Sequence, residues 1–170
     1  MHSDIDLTNP PARRIGALAL IRNESGAVLM VKPSYKDGCI LPGGAAHSDE
    51  PAHEACAREV TEETGLANFR PGRLLLVDYI PRDEETGVTE GYNLVFDGGT
   101  LPNTAAVTLP ESEDGKEPEL TAYRWVQPHT LNTFTEPHQE SRVRRALAVL
   151  DGFGPAQFLC EGKSVTADNR

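Results

Sequence analysis

Three glutamates, Glu59, Glu62 and Glu63, fall at positions i, i+3 and i+4 of one stretch of chain. On a helix those positions share a face, with neighbouring Cβ atoms about 5–6 Å apart. Like charges at such spacing destabilise a helix by roughly 0.2–0.5 kcal/mol per pair. Glu62 and Glu63 also precede Gly65 closely, in the last turn, where the helix dipole disfavours an anion by roughly 0.3–1 kcal/mol. Two local rules are broken at one place, which is how functional sites show themselves in sequence. A bound divalent cation would reverse both penalties. The donors are all oxygen, a set suited to magnesium or manganese rather than zinc or copper. Magnesium completes its shell with waters and substrate phosphates, so a metal on this helix implies a phosphate-bearing substrate.

The glutamates belong to a longer pattern running from Gly44 to Leu66. Five residues separate Gly44 from Glu50, and seven separate Glu50 from Arg58. Arg58, Glu59 and Val60 are contiguous, Glu62 and Glu63 follow, and Gly65 and Leu66 close the segment. This resembles the Nudix box, G-x5-E-x7-R-E-U-x-E-E-x-G-U with U a bulky aliphatic residue, at every fixed position. Leu41-Pro42-Gly43-Gly44 also matches the family, although Cys39 stands where the family often has an aromatic residue. Late in the chain, Glu119 ahead of Trp125-Val126 resembles the family's closing strand.

The resemblance implies an α/β fold, an α/β/α sandwich with a mixed central sheet and the box as a loop–helix–loop. It implies hydrolysis of a nucleoside diphosphate linked to another group. The substrate would be a nucleoside triphosphate, ADP-ribose or a nucleotide sugar. Pro81, fifteen residues after Leu66, resembles the ADP-ribose-cleaving branch, and the nucleoside triphosphate branch fits the chain length equally. By position, Glu59, Glu62 and Glu63 would hold Mg2+ or Mn2+, with the Gly43-Gly44 backbone turning tightly and a carbonyl there facing the metal. Glu50 and Arg58 would pair and brace the loop against the helix. The general base is open among Glu63, Glu111, Glu113, Asp114, Glu117 and Glu119; Glu119 stands out because it directly precedes a strand. Two other classes fit the family: a nucleotide-binding sensor or interaction module without catalysis, and an isoprenyl-diphosphate isomerase-like enzyme using Cys39. Relatives often form homodimers.

The elements that must position these groups follow from pattern and punctuation. Residues 1–12 read as an extended arm, 13–151 as the catalytic domain and 152–170 as an irregular tail. Arg14 to Arg22 is a buried strand, forming a hairpin with Ala27 to Val31 across Asn23-Glu24-Ser25-Gly26. Pro51 opens a helix with Asp49 or Glu50 as cap; Ala52, Ala55, Cys56 and Val60 make its apolar face, and Gly65 stops it. Leu74 to Ile80, Tyr92 to Phe96 and Leu120 to Val126 read as strands, Gly98 to Pro118 as a long loop, and 137–150 as a second helix. Lys32, Tyr35 and Lys36, in the loop before Leu-Pro-Gly-Gly, could meet a phosphate or a base, or be plain surface groups. Tyr92, Phe96 and Trp125 read as core. His47 and His53 read as solvated, as do Arg142, Arg144 and Arg145 on the second helix.

Composition limits the alternatives. The 170 residues suit one domain with short tails. With 26 Asp and Glu against 16 Lys and Arg, the net charge is -10, so no overall field steers the protein to nucleic acid. Three cysteines with no CxxC pairing argue against a disulfide framework and a zinc site. The first residues lack the apolar core of a signal peptide, and no apolar run can span a membrane. The expectation is a soluble cytoplasmic protein with a small nucleotide-type partner.

Overall fold

Strand β1 (Arg14–Asn23) is the spine of the molecule. In the computed structural model, which describes residues 6, 8–85, 87–112 and 116–165, its alternation splits the core in two. Ala17, Ala19 and Ile21 face one layer, and Leu18 and Leu20 face the other. Burial on both faces is why β1 reads as an unbroken apolar run. A slip of one residue would exchange the two sets of side chains.

Strand β2 (Val28–Pro33) returns antiparallel to β1 through Arg22 opposite Val28, as the hairpin reading expected. Strand β6 (Leu120–Val126) covers the far edge of β2, and β5 (Gly91–Leu101) runs parallel to β1 on its other side. Strand β4 (Leu74–Ile80) lies antiparallel to β5. The sheet is therefore mixed, as the family resemblance implies.

Helix α1 (Ala52–Thr64) packs Ala55, Cys56 and Val60 onto the Ala17/Ala19/Ile21 face. Helix α3 (Pro137–Leu150) packs Val143, Ala146 and Leu147 onto the Leu18/Leu20 face. The small residues facing α1 let helix and sheet approach closely. Gly65 ends α1 in the left-handed region (φ 69°), and its N–H donates to the Thr61 carbonyl. No helix among the described residues is long and apolar enough to cross a membrane.

Several elements differ from expectation. Gly43-Gly44 was expected to turn tightly. Instead Gly43–Ala45 forms strand β3, antiparallel to β1, with Gly43 opposite Leu18 and Gly44 opposite Ala17. A Cβ on Gly43, whose φ is 128°, would lie 2.2 Å from the Ala17 carbonyl oxygen, so this glycine serves close strand approach. Neither Asp49 nor Glu50 caps α1 by side chain, because Glu50 is taken by Arg58.

Strand β5 continues to Leu101, past the glycines that read as a loop. Gly98 fits there because a Cβ would press 2.4 Å from Ile21 Cγ1. Helix α2 (Leu131–Phe134) and a 3-10 turn before it carried no usable period. The stretch expected to be an irregular tail contributes β7 (Gln157–Cys160), parallel to β4, and β8 (Lys163–Ser164), antiparallel to β7. Four residues are too few to show alternation; pairing with β4 and complete burial of Leu159 hold β7 in place. The outer parts of the expected arm and tail, 1–5, 7 and 166–170, lie outside the described residues.

Candidate active site

Helix α1 carries Glu59, Glu62 and Glu63 to the wall of a cleft of about 700 Å³. Strand β3 forms the ledge beneath them. Glu59 lies directly over Gly44, where an added Cβ would stand 2.4 Å from the Glu59 carboxyl carbon. The Gly43 N–H donates to Glu63 Oε2 at 2.7 Å. Register between β3 and β1 therefore places the glycine backbone against the helix carboxylates.

Arg58 ties the segment together. Its Nε and NH2 donate to Glu50 Oε1 and Oε2 at 2.8 and 2.9 Å. Its NH1 donates to Glu59 at 2.8 Å and Glu62 at 3.2 Å, and NH2 also reaches the Ala45 carbonyl. The Arg58 hydrogen bonds, helped by the His47 N–H, pull the Glu50 carboxyl down to about 2. Glu63 moves the other way, up to about 8. Burial is the main cause, reinforced by the charges of Glu59, Glu119 and Glu62 and opposed by the Gly43 N–H.

This arrangement of carboxylates bears on whether a metal fits. Among the described residues no three acidic side chains are already gathered into a ligand set, and Arg58 supplies the positive charge between Glu59 and Glu62. Yet the donors are all oxygen and they converge on one wall, with the glycine ledge against Glu59 and Glu63. The residues fit a hard divalent ion.

Tyr35, Lys36 and Glu119 also line the cleft. Burial and the charges of Glu119 and Glu63 raise the Tyr35 phenol. Lys36 lies over the Tyr35 ring, 5.6 Å from its centroid, and burial beside Arg142 and Arg14 lowers its ammonium. Lys32 does not line the cleft; its ammonium donates to the Lys36 carbonyl and ties the loop. Of the other acids considered as base, Glu111 and Glu117 do not line the cleft, and Glu113 and Asp114 lie outside the described residues. His47 borders the cleft but is exposed, and His53 is also exposed.

Sequence reasoning missed the floor. Arg142, expected on the solvated face of α3, is only 2% exposed and donates from Nε to Asp78 Oδ2 at 2.7 Å. Arg144, by contrast, is exposed and pairs with Glu140. The usable signal for Arg142 was Asp78, a lone acid inside the apolar run Leu74–Ile80. Arg14, Asn93 and Gln139 complete the floor, brought together from β1, β5 and α3. Gly16 makes room: a Cβ there would sit 2.2 Å from Asn93 Oδ1. Cys39 packs in the core away from the cleft, and burial pushes its thiol up. Phe96 is core as expected, and Trp125 packs against the same cluster.

A family model for the NUDIX domain matches residues 12–147. The chain belongs to the NUDIX domain family. This Nudix protein is 29% identical over 161 residues to a MutT-like protein of Streptomyces ambofaciens, covering 93% of the chain and 90% of the relative. It is 30% identical over 128 residues to a Bacillus subtilis (strain 168) protein named as a candidate 8-oxo-dGTP diphosphatase, covering 75% and 76%. The solved MutT protein from Methanosarcina mazei Go1 superposes with a TM-score of 0.63 at 30% identity, covering 83% of this chain and 95% of that one. As a Nudix hydrolase, the chain carries its box glutamates Glu59, Glu62 and Glu63 on the wall of this cleft.

Proposed function

We propose that this Nudix hydrolase cleaves the diphosphate linkage of a nucleoside diphosphate joined to another group, with Mg2+ or Mn2+ held by Glu59, Glu62, Glu63 and the Gly44 carbonyl. The observation that carries the reading is the overlay of Glu59 on Gly44 beside a Glu63 whose carboxyl is raised to about 8. An ion held by these groups would lower the pKa of a water and offset phosphate charge. The residues of the chain supply the rest. Glu50 holds Arg58, and Arg58 aligns Glu59 and Glu62. Glu119, which also lines the cleft, accepts the proton of the water as its oxygen bonds to phosphorus. The bridging oxygen leaves with the other phosphate. The relatives named MutT-like and 8-oxo-dGTP diphosphatase favour a nucleoside triphosphate among the three substrate types.

An isomerase-like reaction would need a thiol at the substrate, and Cys39 is buried outside the cleft. The test is phosphate release from a panel of nucleoside triphosphates, nucleotide sugars and ADP-ribose with Mg2+. Turnover is expected with Mg2+ or Mn2+, lost in excess EDTA, and reduced by orders of magnitude in Glu62→Gln and Glu63→Gln, each with the far-ultraviolet circular dichroism of wild type. Full activity in EDTA, or in the Glu62→Gln/Glu63→Gln double variant, would overturn the reading.

A further inference from the structure

The cleft has two chemically opposite sides. The α1 side presents carboxylate acceptors, while the floor presents hydrogen-bond donors. The donor character is enforced. Arg14 NH1 lies 2.9 Å from the Asn93 side chain, and Arg142 NH1 lies 2.7 Å from that of Gln139. A guanidinium has no acceptor, so the amide atom facing it must be oxygen. The Asn93 and Gln139 NH2 groups are thereby turned away from the guanidiniums. Neither meets an acceptor among the described residues, and neither is a fully occluded unpaired atom. Both residues line the cleft and an adjoining cavity of about 600 Å³, which also share Arg14 and Lys36.

Charge decides which acceptor belongs there. Of the three cations that line both cavities, Arg14, Lys36 and Arg142, the last is neutralised by Asp78. Among the described residues neither Arg14 nor Lys36 forms an ion pair. Gln139 lies in the first turn of the 14-residue helix α3, whose dipole adds positive potential. Two unpaired cations, two oriented amide donors and a helix start form a complement to an anion, in preference to the neutral edge of a base. The acids Asp83, Glu84, Glu85 and Glu161 line only the adjoining cavity.

We propose that Arg14, Lys36, Asn93 and Gln139 form a second anion subsite that holds a substrate phosphate remote from the carboxylate wall. The subsite makes the enzyme select polyphosphate nucleotides over nucleotides joined to a neutral sugar. This specificity rests on the hydrolase reading above, whereas the subsite itself does not.

Two measurements test it separately. Calorimetry in EDTA with inorganic tripolyphosphate reads the floor without metal or turnover. The wild-type protein should bind; Lys36→Gln and Arg14→Gln should each bind about tenfold more weakly, the loss of one charge-assisted hydrogen bond. Glu62→Gln should bind at least as tightly as wild type. With Mg2+, Lys36→Gln should raise KM for a nucleoside triphosphate about tenfold at a kcat within about twofold of wild type. The KM, or inhibition constant, of a nucleotide linked to neutral hexose should not move. No tripolyphosphate binding by wild type overturns the subsite. So does an equal loss for both substrates, or a neutral nucleoside that binds in EDTA and is lost in the same variants. Intact tripolyphosphate binding with no hydrolysis of any diphosphate would sink the hydrolase reading and leave the subsite standing.

Discussion

Arg58 and Glu50 meet side-on, with Nε and NH2 at 2.8 and 2.9 Å from the two carboxylate oxygens, across the turn that leads into α1. The same guanidinium extends to Glu59 and Glu62. Glu50 thus braces Glu59 and Glu62 through Arg58 without lining the cleft itself.

Glu50→Gln keeps the shape of that side chain and removes its charge. Loss of an outer partner of this kind costs about 10–100-fold in metal affinity. A Mn2+ titration followed by electron paramagnetic resonance should show that weakening, with the far-ultraviolet circular dichroism of wild type. Unchanged Mn2+ affinity would mean that Arg58 holds its place without Glu50.

Metal-free protein should lose stability as pH rises, and Glu63 is the reason. In the unfolded chain its carboxyl titrates near 4.5, and in the fold near about 8. Between those values the unfolded state releases a proton that the folded state keeps. The Glu63 contribution is therefore full below about 4.5, falls through the window up to about 8, and is flat above it. Urea unfolding in EDTA across this range should show the decline in wild type and a shallower one in Glu63→Gln. Saturating Mn2+ should flatten the wild-type curve.

Asp78 accepts from Arg142 Nε and from the Gly162 N–H, and both charged side chains are buried. Removing one partner strands the other, at about 3–5 kcal/mol. Asp78→Ala should lose about that much stability in urea, and a loss under about 1 kcal/mol would show that the pair is dispensable.

Two adjacent glycines should fail in different ways. The Cβ of Gly44→Ala meets the end of a side chain, Glu59, which can swing aside. Activity should fall at nearly constant Tm. The Cβ of Gly43→Ala meets the Ala17 backbone at a φ of 128°, where nothing can yield. Tm should fall by several degrees, since strain at such a position costs about 1–3 kcal/mol. Equal effects on Tm would refute the distinction.

The parts of the site visible in sequence are those that lie close together along the chain. Glu59, Glu62 and Glu63 announce themselves because a helix converts their spacing into a shared face. The α1 stop at Gly65, the hairpin of β1 and β2, and the strands β4 and β6 have equally local causes. Arg142 did not announce itself, since the helix period alone leaves three arginines looking alike. Nor did β7, whose four residues gain their structure from β4.

By itself the sequence determined the carboxylate helix and, through the resemblance carried by the box spacing, the family and its mixed α/β architecture, because that spacing acts over a few residues. Only the tertiary structure decided the opposite side of the cleft. Arg14, Asn93, Gln139 and Arg142 come from β1, β5 and α3, and no local rule relates them. Strand order brings them together, and burial then forces each guanidinium to find an oxygen partner.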